Sequence, residues 1–275
     1  MKVLGQPVAG MYVWAIALLS AMAFISSYLM HMVPFDLLVS VTICFIADML
    51  ITKFYFRRKL RIPFSGIITG IILGSVAATT TPIIAIILAC VVAIGSKAFI
   101  RIKSVNVFNP AALGLLVAIL LFSTSDEWWA SSAYNLSGIF ISITPVLLVL
   151  AYLSKRLTSS FSFVIASILL SVALSPSSLS LSVASIDALI FSTNFYLAFV
   201  MMADPKTSPA GRLKQVAFGV FIAILLVAFG VLRLPSPTLT ALLIGNIGFA
   251  LSKGYLRTRG GVHAPTMAHT VSPNS

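Results

Sequence analysis

Long apolar runs alternate with short polar gaps along almost the whole chain. We interpret each run as a membrane-embedded helix, because about 20 consecutive apolar residues are needed to span a bilayer. The segments 63–78 and 109–123 are short for this purpose, which is typical of tilted helices or of half-helices that do not cross alone. The pattern predicts ten segments: 11–31, 34–52, 63–78, 82–100, 109–123, 137–153, 160–176, 184–203, 213–232 and 237–254.

The composition agrees with this pattern. The chain of 275 residues is 59% hydrophobic and 9% charged, with a mean hydropathy of +1.09, whereas about 25% of the residues in a soluble domain are charged. We therefore predict an all-α polytopic membrane protein whose surface is covered by the lipid bilayer. The first apolar run lacks a convincing cleavage site, so we expect a retained helix rather than a signal peptide.

The positions of the charges test the number of segments. A net charge of +12 often indicates nucleic-acid binding, but here the basic residues lie in short gaps between apolar runs, so we expect no nucleic-acid partner. With ten spans, 17 of the 18 Lys and Arg residues lie on the side of both termini, and only Arg233 lies opposite. The positive-inside rule then places both termini in the cytoplasm of a multi-pass protein of the cell (plasma) membrane. Trp128 and Trp129, in the outward loop 124–135, are predicted interface anchors.

Few side chains offer ligands for a metal or haem. Cys44 and Cys90 lie inside apolar runs and are predicted to be inert packing residues. No C-x-x-C motif occurs, and His31, His263 and His269 form no pair within the spans. We therefore expect neither a cysteine-ligated metal centre nor bis-histidine haem.

Ten segments divide into two sets of five, about 11–123 and 137–256. Because five is odd, such repeats would have opposite orientations in the membrane, and inverted repeats commonly form a ligand site at the midplane between broken helices. A weak similarity between 105–122 and 243–256 favours this division, since each stretch has an Asn near a Gly and small residues. We expect one transmembrane domain over 1–258 and a disordered cytoplasmic tail over 259–275.

The stretch SGIITGIILG (65–74) has glycines at a spacing of four. In a membrane helix, this spacing places a groove of small residues on one face. One interpretation is close packing against another helix, and the other is a groove that admits a flat ligand or a half-helix.

Asn109 followed by Pro110 is typical of a helix start, with Asn as the N-cap and Pro at the first helical position. The free N–H groups at such a start attract anions, and Lys97, Arg101 and Lys103 lie shortly before it. The stretch therefore indicates either a simple cap with orienting charges or a site for a phosphate or carboxylate.

Asp204 is one of only six acidic residues, and Pro205 follows it. Proline disfavours a helical conformation at the residue before it, so we predict that the eighth segment ends at Asp204. Its carboxylate would accept hydrogen bonds from backbone N–H groups or form an ion pair with Lys206 or Arg212. Alternatively, it would line a path for a ligand or ion. Asp48 and Asp187 are further candidates, because acids inside a membrane are costly and often functional.

Four stretches in this order carry a resemblance: SGIITGIILG, KAFIRIKSVNVFNPAALG, FYLAFVMMADPKTSPAGRL and LTALLIGNIGFALSKGYLR. Over most of 60–258 the chain resembles the D subunit of the Rnf electron-transport complex and the B subunit of sodium-translocating NADH:quinone oxidoreductase. The resemblance implies ten helices in a fold similar to that of urea transporters, a flavin near the membrane, and electron transfer coupled to ion movement. The positions that match, and that would line or support a central cavity, are Thr69, Gly70, Asn109, Pro110, Gly114, Asp204, Pro205, Thr207 and Asn246.

The chain departs from those relatives in one loop. They carry FMN on a threonine of the loop between the fifth and sixth spans, in a run similar to S-(G/A)-A-T after an Asp. Here the loop is TSDEWWASSAYN, which contains no such run, and the nearest similar string is SIT at 142–144, whose Thr144 falls inside an apolar segment. We therefore expect no covalent FMN. Two smaller departures are D-P-K-T in place of D-P-V-T and shorter ends of the chain.

Three functions fit these observations. The first is a membrane subunit of an Rnf-type or NADH:quinone-oxidoreductase-type complex that holds FMN or riboflavin noncovalently, contributes to an ion path, or does both, together with other subunits. The second is a stand-alone transporter of flavin or another small polar solute. The third is an assembly subunit without a ligand, which the helix-breaking motifs disfavour.

Overall fold

The computed structural model describes residues 2–3, 6–59, 61–102, 105–132, 140–174 and 194–259, and this part of the chain is mostly helical. Two short antiparallel hairpins pair β1 (Lys2–Val3) with β2 (Gln6–Pro7) and β3 (Arg101–Ile102) with β4 (Val105–Asn106). The helices are α1 (Val8–Leu29), α2 (Phe35–Leu50), the π-helical turn π1 (Ile51–Tyr55), α3 (Phe64–Val76), α4 (Ile83–Phe99), α5 (Pro110–Phe122), α6 (Trp129–Ser132), α7 (Phe140–Leu153), α8 (Leu157–Leu174), the π-helical turn π2 (Leu197–Met201), α9 (Arg212–Val231) and α10 (Pro237–Arg259).

Helices occupy the predicted apolar segments wherever the structure describes them, although most of the eighth segment, 184–203, lies outside the described residues. Among the described residues, four helices are long and apolar enough to cross a membrane: Gly10–Leu29, Phe35–Tyr55, Leu157–Leu174 and Arg212–Val231. The apolar helices α3, α4, α5 and the stretch Pro237–Ser252 of α10 are shorter. The chain is thus a helical membrane protein, and the number of spans stays a prediction.

The glycine-rich face of α3 packs directly on α2. A methyl group on Gly70 would lie 2.6 Å from the Cα atom of Val41, and one on Gly74 would overlap the hydroxyl group of Ser40. Ser40 also donates a hydrogen bond of 2.8 Å to the carbonyl oxygen of Gly70. The packing interpretation of this motif is therefore confirmed, and α2, rather than a ligand, fills the groove.

The predicted outward loop caps the C-terminal end of α3. The carbonyl oxygen of Val76 accepts hydrogen bonds from the backbone N–H groups of Glu127 and Trp128. The indole of Trp129 is 1% exposed and donates a hydrogen bond of 2.8 Å to the carbonyl oxygen of Gly74. The prediction of Trp129 as an interface anchor is therefore wrong, because the last carbonyl groups of a short buried helix need donors that lipid cannot supply.

Corresponding elements of the two predicted halves make corresponding contacts. In the first half, α3 packs against α1 and α2, while α4 packs against α2 and α5. In the second half, π2 packs against α7 and α8, while α9 packs against α8 and α10. The halves also contact each other through α1 with α7 and through α5 with α10.

Candidate functional site

A cavity of about 640 Å³ lies where the two halves meet. Its walls come from α1, α3, the start of α5, the end of α7, and π2 with the turn that follows it. The volume falls within the range of about 300–1,000 Å³ that is usual for small-molecule sites. The cavity is therefore the first place to look for a ligand.

The exposure of the lining residues shows where the cavity opens. Along α1 the side chains change from partly exposed Met11 to buried Leu19, and along α3 from partly exposed Ser65 to buried Ile72. Lys155, which follows α7, is exposed. The mouth thus lies beside the starts of α1 and α3 and the end of α7, which the charge pattern assigned to one side of the membrane.

Helix α5 begins inside the protein, at the wall of this cavity. The side-chain oxygen of Asn109 accepts a hydrogen bond of 3.2 Å from the backbone N–H of Ala112, and Pro110 occupies the first turn. The amide nitrogen of Asn109 donates to the carbonyl oxygen of Met201 in π2, at 3.2 Å. The predicted cap is confirmed, and the same side chain also joins the two halves.

Asn246 of α10 holds this helix start against the turn that follows π2. In the orientation that satisfies both neighbours, its amide oxygen accepts from the backbone N–H of Asn109 at 3.0 Å, and its nitrogen donates to the carbonyl oxygen of Thr207 at 3.1 Å. Asn246 is 1% exposed and lies near the middle of the apolar stretch Pro237–Ser252. The start of α5 therefore lies beside the middle of this apolar stretch of α10.

The chain after π2 forms a compact turn rather than a continued helix. The helical backbone ends at Met201, three residues before Asp204, in agreement with the predicted end of this segment. One carboxylate oxygen of Asp204 accepts a hydrogen bond of 3.0 Å from the backbone N–H of Lys206. The hydroxyl group of Ser208 donates to the carbonyl oxygen of Asp204 at 2.7 Å, which closes the turn.

Arg156, which lies between α7 and α8, donates hydrogen bonds to this turn. It is 7% exposed, and its Nε donates to the hydroxyl oxygen of Ser208 at 2.9 Å. One terminal nitrogen donates to the carbonyl oxygens of Pro205 and Ser208, both at 3.4 Å. Burial lowers the pKa of the guanidinium group, and the nearby carboxylate of Asp204 opposes that shift. Of the alternatives predicted for Asp204, the hydrogen bond from a backbone N–H is confirmed, and no ion pair with Lys206 or Arg212 occurs among the described residues.

Sequence reasoning missed Arg156 as a residue of the site. Lys155 and Arg156 form a basic pair between two apolar runs, which we interpreted only as an orientation signal. Nothing in the sequence distinguishes a buried arginine in such a gap from a solvated one.

The predicted site residues take three kinds of position. Thr69, Asn109, Pro110, Asp204 and Pro205 line the cavity. Thr207 and Asn246 are buried behind its wall. Gly70 and Gly114 instead allow close helix contacts, since a methyl group on Gly114 would overlap the carbonyl oxygen of Ala89.

Of the three basic residues that the sequence offered as one alternative for binding an anion before Asn109, the two that the structure describes have other partners. Lys97 forms an ion pair with Asp48, at 2.6 Å. The Nε of Arg101 donates to the side-chain oxygen of Asn106, at 3.2 Å. Lys103 and Asp187 lie outside the described residues.

Comparison of the chain with models of known protein families and with curated proteins finds no match. The resemblance to the Rnf and NADH:quinone oxidoreductase subunits therefore stays a hypothesis that depends on the four stretches alone.

Replacing Asn246 by leucine is expected to reduce the free energy of unfolding by about 1–3 kcal/mol, because the N–H of Asn109 and the carbonyl of Thr207 lose their buried partner. The apparent Tm in detergent and the hydrogen exchange of the Asn109 amide measure this effect. Ser252→Ala, at an exposed position of the same helix, is the control. A variant that keeps the wild-type Tm and amide protection would show that Asn246 does not connect these two segments.

Proposed function

We propose that this chain is a flavin-binding membrane subunit of an electron-transport complex of the Rnf or sodium-translocating NADH:quinone oxidoreductase type. In this proposal it holds FMN or riboflavin noncovalently and contributes to the path of an ion. The observation that carries the proposal is the cavity of about 640 Å³. Five of the residues that match the motifs of those two subunits lie on its wall, although they come from three separate stretches of the sequence.

The residues around the cavity fit a flavin. Most of the wall is apolar, with Leu19, Ile72 and Phe199 buried at its deep end, and such a surface suits a flat aromatic ring system. The polar side chains of Thr69 and Asn109 also line the cavity. The Thr69 hydroxyl already donates to the carbonyl oxygen of Ser65, and both ends of the Asn109 amide are bonded, so they offer a ligand only their remaining acceptor and donor capacity. A bound flavin would supply the acceptance and donation of electrons, and the protein would bind it, orient it and limit its access to water.

We further propose ten membrane segments arranged as two inverted five-helix repeats, with both termini in the cytoplasm. The equivalent contacts within the two halves support this arrangement. So do the contacts between the halves, because α1 with α7 and α5 with α10 pair equivalent helices, as a two-fold axis requires. Irregular backbone at the start of α5 and after π2 is tolerated inside a membrane where it lines a cavity.

A transporter of flavin or another small polar solute is the second proposal. The observation that favours it is the position of the cavity between two similarly built halves, since such halves often rock around a fixed site. A single chain in proteoliposomes that takes up labelled riboflavin would support this function. Copurification with further redox subunits, or genes for such subunits next to this one, would support the first.

Flavin analysis of the purified protein tests the first proposal. After acid precipitation, flavin is expected in the supernatant, since the chain lacks the loop that would hold it covalently. Ala15→Trp fills the cavity from α1 and is expected to remove the flavin. Ala17→Trp adds the same side chain to an exposed position of that helix and should retain it. Flavin in the pellet would overturn the noncovalent mode, and its absence from the wild type would overturn the cofactor.

A further inference from the structure

The charged groups at the mouth of the cavity are not equally available to a ligand. Among the residues that the structure describes, four charged side chains line the cavity: Lys155, Arg156, Asp204 and Lys206. The guanidinium nitrogens of Arg156 donate hydrogen bonds to the turn 205–208. The carboxylate of Asp204 lies close enough to interact with this guanidinium group electrostatically. Counted as three cations and one anion, the four side chains carry a net charge of +2.

Lys155 and Lys206 remain as cations without an ion pair among the residues that the structure describes. Lys155 is exposed at the rim. The ammonium group of Lys206 lies 5.9 Å from the ring centroid of Tyr12, which also lines the cavity. Lys97 is near enough to Lys206 to interact electrostatically, but its own charge is matched by Asp48. The mouth thus has a surplus of positive charge.

The deep end of the cavity has the opposite character. Leu19, Ile72 and Phe199 line it and are buried. A ligand that fits both ends is therefore amphipathic, with an apolar or aromatic body inside and an anionic group at the mouth. Phosphate is well suited to two flexible lysines, because each ammonium group can donate several charge-assisted hydrogen bonds to it.

We infer that the cavity binds an amphipathic organic phosphate, with the body between α1 and α3 and the phosphate on Lys155 and Lys206. This inference depends on the proposed flavin site and makes it more specific: the ligand is FMN rather than riboflavin. A phospholipid with its headgroup at the mouth has the same chemistry, so the test must distinguish the two sources.

The experiment compares FMN with riboflavin, which differ only in the phosphate. Each is titrated against the protein in an uncharged detergent, and the quenching of flavin fluorescence gives the Kd. A charge-assisted hydrogen bond contributes about 1.5 kcal/mol or more, so the wild type is expected to bind FMN at least about tenfold more tightly. This preference should decrease as the salt concentration rises.

The variant Lys155→Gln/Lys206→Gln is expected to lose the preference for FMN while its Kd for riboflavin is unchanged. Lys53→Gln/Lys214→Gln removes the same charge from exposed lysines that do not line the cavity and should behave like the wild type. Equal Kd values for the two flavins in the wild type, or an equal preference for FMN in both double variants, would overturn the inference while the flavin site itself stands.

A separate arm tests the lipid. If neither flavin binds, the proposed flavin site fails, and retention of phosphatidylglycerol over phosphatidylcholine is measured on the delipidated protein after incubation with each lipid. Retention of phosphatidylglycerol by the wild type, but not by Lys155→Gln/Lys206→Gln, would support the phosphate site with a lipid as its ligand. No preference between the lipids would overturn the inference.

Discussion

Replacing Lys97 by methionine is expected to reduce the free energy of unfolding by about 3–5 kcal/mol. The ammonium group of Lys97 on α4 lies 2.6 Å from a carboxylate oxygen of Asp48 on α2, and these side chains are 9% and 18% exposed. Methionine preserves much of the packing volume but leaves Asp48 as a charge without a partner among packed helices. The apparent Tm in detergent should decrease by about 10 °C or more.

Two further variants make this result specific to the ion pair. Lys97→Met/Asp48→Asn removes both charges and is expected to regain most of the lost stability. The reason is that the attraction within a buried ion pair is largely offset by the free-energy cost of removing both charges from water. Lys53→Met makes the same change at an exposed lysine of π1 and should be neutral. Equal melting of Lys97→Met and Lys53→Met would mean that α2 and α4 do not enclose the pair.

Replacing Gly114 by alanine is expected to have an effect of similar size, about 3 kcal/mol. A methyl group there would overlap the carbonyl oxygen of Ala89, which belongs to the backbone of α4 and cannot move like a flexible side chain. The variant must therefore push α5 away from α4, and a decrease of about 10 °C in the apparent Tm is expected.

Gly95→Ala and Gly230→Ala are the matched controls for this change. Both glycines lie within helices, and beyond the adjacent backbone of its own helix a methyl group on either meets no atom within 4 Å. Alanine has a higher helix propensity than glycine, so these variants are expected to be neutral or slightly stabilised, by up to about 1 kcal/mol. A Gly114→Ala protein as stable as these controls would show that α4 and α5 are not in direct backbone contact.

Hydrophobic runs were enough to predict most of the fold, because lipid leaves helices as almost the only way to satisfy backbone groups. Local rules also predicted the cap at Asn109 and the helix end near Asp204, since each depends on adjacent residues. Trp129 shows the limit of such rules. Aromatic residues in an outward loop usually mark the membrane surface, but the ring of Trp129 packs inward because a carbonyl group of α3, 55 residues away in sequence, needs its N–H.

The site was less predictable than the fold, for a similar reason. The sequence placed possible anion-binding cations beside Asn109, but Lys97 pairs with Asp48 and Arg101 contacts Asn106. The cations at the cavity are Lys155, Arg156 and Lys206. Which basic residues meet an acid, and which remain available, depends on contacts between distant segments that no local pattern encodes.

The position of the start of α5 has an electrical consequence. In the proposed ten-segment arrangement, water in the cavity would carry the potential of that compartment to Asn109, about halfway into the bilayer. The membrane voltage would then fall mainly along α5, whose 13 residues span about 20 Å. An elementary charge that crosses this shortened barrier still gains or loses about 2.3 kcal/mol per 100 mV, but within a steeper field. Side chains along α5, rather than those of the cavity, would feel most of that field.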